Sequence, residues 1–160
     1  MHYEGEISLA EVGFCRIETQ QECLFGSLHI PKLLDVLGSS YKMLFLVSEN
    51  HVVIIDDDGF AQRIVRRIRQ KKAQQSVNKA HFIYNFILQF MSRDLQILGQ
   101  YERQVMAMEE QVMEGKTEGF QSKIMPIRKE LLTLREYYDE LMDMGKELEE
   151  NENGFFAKKL

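Results

Sequence analysis

A chain of 160 residues with 44% hydrophobic and 28% charged side chains has the make-up of one folded domain, or of one domain with an appendage. Its formal charge of −5 and pI of 5.4 exclude the basic footprint of a sequence-independent nucleic-acid binder. No apolar run approaches the roughly 20 residues of a spanning helix, and the N-terminus shows no basic region followed by an apolar one, so no secretory signal is expected.

The first part of the chain carries short apolar runs broken by turn residues. Residues 14–19 and 22–30 read as strands, with Gln20 and Gln21 as a turn and Pro31 closing the second strand through its missing amide. Residues 32–38 suit one or two helical turns stopped at Gly38. Residues 42–48 and 51–56 flank Glu49 and Asn50, which is the clearest hairpin in the chain. Val52 to Ile55 are apolar on both sides of the pleat, which suggests a central strand covered by helices on at least one face. Residues 60–69 then read as an amphipathic helix with Ile64, Val65 and Ile68 inward and an aspartate as its N-cap.

Three consecutive aspartates, Asp56, Asp57 and Asp58, invite a metal reading. A calcium loop needs ligands spread over twelve residues and a terminal glutamate, so a cap with a solvated turn is the better account. Cys15 and Cys23 are the only cysteines and read as free, buried thiols of a reducing compartment. A zinc site including His29 lacks any CxxC or HxxxH spacing. No phosphate loop, catalytic carboxylate pair or nucleophile beside a histidine is present, so no enzymatic activity is expected.

Near residue 75 the pattern changes. With Ser76 as N-cap, Ile83, Ile87, Phe90, Asp94, Ile97, Tyr101, Val105, Met108 and Val112 recur at alternating spacings of four and three. After the glycine-containing break at 114–119, a second series runs through Ile124, Ile127, Leu131, Leu134, Tyr138, Leu141 and Leu148, with Pro126 near its start. The short break forces the two helices antiparallel. A helix over 76–114 would run about 58 Å, against a radius of gyration of about 15 Å for a compact chain of this size. The hairpin therefore overhangs the sheet, as parts of larger assemblies do. The expected fold is α+β or α/β: a small sheet with flanking helices in 1–75, then a long antiparallel helical hairpin in 76–160, together forming one domain.

Two stretches give this pattern a family likeness. Phe82-Ile-Tyr-Asn-Phe-Ile-Leu-Gln-Phe-Met-Ser-Arg-Asp94, continuing through Leu98, Tyr101-Glu102 and Met108-Glu-Glu110, resembles the first long cytoplasmic helix of CorA-type magnesium channels. Ile127-Arg-Lys-Glu-Leu-Leu-Thr-Leu-Arg-Glu-Tyr-Tyr-Asp-Glu-Leu141 is similar to that family's return helix. The family's Gly-Met-Asn filter and membrane helices are absent from this sequence, which ends roughly where the family's stalk helix begins. The resemblance therefore implies a cytoplasmic N-terminal domain cut before the stalk, a soluble fragment from the cytoplasmic side of a membrane. Its implied partners are its own membrane domain, divalent cations, and like subunits, which are pentameric in the full-length family. A soluble coiled-coil interaction module is the alternative, and a zinc-transporting relative on the same scaffold is a third reading.

Asp94 is the residue singled out. It takes a seam position whose other occupants are apolar or aromatic, and an isolated buried carboxylate is costly. It must reach water, pair with Arg93, Arg128 or Arg135, or bind a cation. The resemblance implies the last: an acidic residue at this point of the family's helix helps hold regulatory Mg2+, or another divalent cation, between subunits. No cofactor is otherwise required. Glu109, Glu110, Glu114 and Glu118 at the hairpin tip read as a solvated loop or a partner-facing patch. The four glutamates between 147 and 152, and the six basic residues from Arg63 to Lys72, read as solvated faces, the latter also as a subunit contact.

Overall fold

The computed structural model describes residues 8–33, 35–71, 78–92, 94–152 and 154–156. A 3-10 turn, Leu9–Glu11, precedes four strands: β1 (Arg16–Thr19), β2 (Cys23–Lys32), β3 (Asp35–Ser48) and β4 (Val52–Asp56). Four helices follow: α1 (Phe60–Lys71), α2 (Lys79–Met91), α3 (Asp94–Met113) and α4 (Phe120–Glu150). The strands form one antiparallel meander in chain order, so the fold is α+β.

Alternation along β3 sorts the two faces of the sheet. Met43 and Phe45 face the helices and join Cys15, Leu28, Ile30, Ile64, Ile68, Phe86, Phe90, Tyr137 and Met144 in the larger core. Leu44 faces the other way and meets Phe25, Val12 and Leu9, so the N-terminal turn covers part of the outer face. Gly26 has a packing reason: a Cβ there would come within 2.7 Å of the Arg16 carbonyl oxygen and would strike the Phe45 ring. Phe60 at the start of α1 stacks on Tyr41 of β3 with ring centroids 3.8 Å apart, and the Asp56 carboxylate accepts from the Ala61 amide at 2.9 Å. Asp58 pairs with Lys32 at 3.1 Å. The aspartate run is thus a cap and a turn.

Four expectations are corrected. Residues 32–38 form no helix: β2 and β3 make one long hairpin that turns between Lys32 and Asp35, and Gly38 lies inside β3. The apolar side chains that suggested a helix have another use, since Leu33 and Val36 dock into the seam between α3 and α4. Nor does Pro31 end β2. Beyond Ser27 the strand has no β1 neighbour, and an open edge is where a strand tolerates proline. β4 is an edge strand, not a central one, with Val53 and Ile55 about half exposed.

The fourth correction concerns the first long helix, which is two helices parted at Ser92. Ser76 lies outside the described residues, and the cap of α2 is Asn78, whose Oδ1 accepts from the His81 amide at 2.8 Å. The two helices part because they serve different cores. Phe82, Phe86 and Phe90 of α2 pack on the sheet, whereas Ile97, Tyr101, Val105 and Met108 of α3 pack on α4. The α3–α4 turn is as the glycines suggest. Gly115 has φ of 79°, its amide bonds the Val112 carbonyl, and that of Lys116 bonds the Gln111 carbonyl, together closing the helix with a Schellman motif. No helix among the described residues is long and apolar enough to cross a membrane.

Candidate functional site

Asp94 opens α3, directly after the break. Ser92 turns its hydroxyl back to the Gln89 carbonyl at 3.0 Å, ending α2, and the chain restarts with a carboxylate in the first turn. That is the end of a helix where negative charge is favoured. Asp94 is 5% exposed, and with Ser27 it forms the buried polar set of the described residues.

The partner is one the sequence did not single out. Tyr138 of α4 donates its hydroxyl to Asp94 Oδ2 at 2.8 Å. Neither Arg128 nor Arg135 pairs with Asp94 among the described residues; Arg135 lies 3.8 Å from Asp139 instead, and Arg93 lies outside the described residues. Burial pushes the Asp94 carboxyl above its ordinary range, and the Tyr138 hydrogen bond opposes that rise. The Tyr138 hydroxyl is pushed up in turn, first by burial and then by the carboxylate it bonds.

Beside this pair lies Tyr137, 4% exposed, whose hydroxyl has no hydrogen-bond partner among the described residues. Its pKa is raised chiefly by burial and further by Asp94, Cys15 and Tyr138, which places it between the carboxylate and the thiol. Cys15 is free and buried. Its amide donates to Glu140 Oε2 at 2.7 Å, its thiol lies 3.5 Å from the His29 carbonyl oxygen, and it accepts from the His29 amide at 3.3 Å. Burial pushes this thiol up to about 12, so it stays protonated and unreactive at neutral pH. A polar thread therefore runs through the interior from the α2–α3 break, across two turns of α4, to the start of β1.

One helical turn further into the hairpin, Tyr101 donates to Glu130 Oε2 at 2.7 Å. Glu109, Glu110, Glu114 and Glu118 are all exposed at the tip, where Glu114 pairs with Lys116 at 2.8 Å. Cys23 points to Gln20 rather than to Cys15 or His29, and the side chains of the arginines of α1 face water.

A carboxylate is a hard oxygen donor suited to Mg2+, which keeps several of its waters and needs only one or two protein carboxylates. Asp94 meets that requirement with Oδ1, which makes no hydrogen bond among the described residues. Within the same set, no group of three or more His, Cys, Asp or Glu side chains converges, so a closed all-protein cage is not built. The family model described as CorA-like Mg2+ transporter protein matches residues 8–159, nearly the whole chain. No curated protein matches it.

Proposed function

The chain belongs to the CorA-like Mg2+ transporter family, and from that premise we propose that it is the cytoplasmic regulatory and scaffolding part of such a transporter, with Asp94 sensing the divalent cation. The observation that carries this reading is a buried carboxylate at a helix break whose one described partner is a tyrosine hydroxyl. A neutral donor does not cancel the charge. A hydrated divalent cation shared with a neighbouring subunit would, and its loss would leave carboxylates to repel and the subunits to loosen. That is the differential interaction a cation-gated assembly needs.

Proton and cation would compete for the same carboxylate. Because burial favours the protonated form, cation affinity should rise with pH as the proton leaves. The freestanding coiled-coil module is the weaker reading, since the helical seam shares its core with the tip of the β2–β3 hairpin.

Thermal unfolding with and without about 10 mM Mg2+ tests this. At ten times its dissociation constant the cation stabilises by about 1.4 kcal/mol, which raises Tm by a few degrees in a chain of this size. Asp94→Asn should abolish that rise while keeping the Tyr138 hydrogen bond. Equal rises in the two proteins would remove Asp94 from the cation site.

A further inference from the structure

The two edges of the sheet are built differently. β1 is four residues long and carries the ion pair Arg16–Glu18 at 3.0 Å, so charge guards it. β4 reads Val-Val-Ile-Ile-Asp, with neither lysine nor proline, and its Val53 and Ile55 side chains are 48% and 53% exposed. Ladder phase settles which backbone groups it presents. The Ser48 amide donates to the His51 carbonyl at 2.8 Å, so that pair is hydrogen-bonded. Alternation along the antiparallel ladder then turns residues 53 and 55 toward β3, and turns the N–H and C=O groups of Val52, Ile54 and Asp56 toward the open edge. Beside those residues lies a cavity of about 1060 Å3, walled by Val65 and Arg69 of α1 and by Lys79.

We propose that β4 pairs antiparallel with β4 of a second copy of this chain, on a two-fold axis at Ile54, joining two four-stranded sheets into one. The register is what commits this edge to its own copy. Centred on Ile54, every outward N–H meets an outward C=O: Ile54 bonds its own counterpart, and Val52 bonds Asp56. Shifting the register by two residues leaves groups unmatched, and shifting it by one sets an outer-face side chain against an inner-face one.

The same register lays Val53 of each copy beside Ile55 of the other, covering the two half-exposed apolar side chains. It also brings exposed His51 of one copy opposite exposed Asp57 of the other, once at each end of the paired strands. A segment that is its own complement in backbone, apolar and charged groups forms an isologous contact. This surface is separate from Asp94 and stands without the cation reading.

Sedimentation equilibrium of the 160-residue chain should show a reversible dimer. V53K/I55K sets lysine against lysine across the axis and should weaken the dimer at least about tenfold. V53K/I55E sets each new lysine opposite a new glutamate and should restore it. His51→Asp, a change confined to an exposed turn, should weaken it by about threefold through repulsion from Asp57 and serves if the double variants lose their circular-dichroism signature. A chain that stays monomeric at every concentration, or an assembly whose affinity these variants leave unchanged, overturns the proposal.

Discussion

The two cores of this molecule solve the burial problem with unequal resources. The sheet-side core is closed by β-strands beneath and by α1, α2 and α4 above, and Met43, Ile64 and Leu28 are sealed at 2% exposure or less. The hairpin core has two helices and the tip of a β-ribbon. Of its members Leu134 is sealed, whereas Tyr101, Met108 and Ile127 stay at 8–9%. Two helices bury one stripe each, so the opposite faces of α3 and α4 remain wet, and Leu95 and Met113 are 81% and 88% exposed. The thin core is also where the charged group is tolerated, because Asp94 sits at its border with the thick one. A layered core supplies stability, while a two-helix seam leaves room for a polar group to matter.

Leu134→Ala should break that contrast most visibly. Removing a sealed leucine costs about 3 kcal/mol, and the thin core has little to fill the space. Hydrogen exchange should quicken across α3 well before the β2–β3 ladder, and uniform quickening would show the two cores to be one cooperative unit.

Asp94→Asn should sharpen it next, by about 1–2 kcal/mol. The folded carboxyl titrates above its ordinary range, so its contribution to stability is fully present at low pH and is lost as pH rises through the raised value. Without added cation the variant should therefore match the parent in acid and exceed it at neutral pH, as read from denaturant midpoints. A constant difference at all pH values would mean that the carboxylate is not what burial penalises. Tyr137→Phe should have the smallest effect, from nothing to a gain of about 1 kcal/mol, because it removes a buried hydroxyl that lacks a described partner. A clear loss in melting temperature would reveal a bridging water.

Much of this was legible in the residues. The β3–β4 hairpin, α1 with its aspartate cap, the glycine-closed α3–α4 turn and the oddity of Asp94 all follow from local pattern. Even the missed partner had a signal. Asp94 and Tyr138 each lie 22 positions from Lys116 at the hairpin turn, so antiparallel pairing sets them opposite one another. What could not be read locally was decided by packing at a distance. Residues 32–38 suit a helix by themselves and become strand because Leu33 and Val36 find their burial against α3 and α4. The α2–α3 break is equally hidden, since the apolar repeat runs through Ser92 unchanged while the surface it packs on does not. β4 looks central by composition, and nothing local says that its second neighbour is missing.

The β2–β3 ribbon and α4 have a mechanical consequence. Fourteen residues of β3 at about 3.3 Å each and thirty-one of α4 at about 1.5 Å each give two members of nearly equal reach, about 46 Å. Each runs unbroken from the hairpin core to the sheet core: Val36 and Met43 lie on the strand, Leu134 and Met144 on the helix. The third path between the cores, through α2 and α3, is jointed at Ser92. The molecule is therefore a strut with two rails and one hinge. A push at the hairpin end is carried along both rails to the sheet, while the angle between α2 and α3 is free to take up the strain.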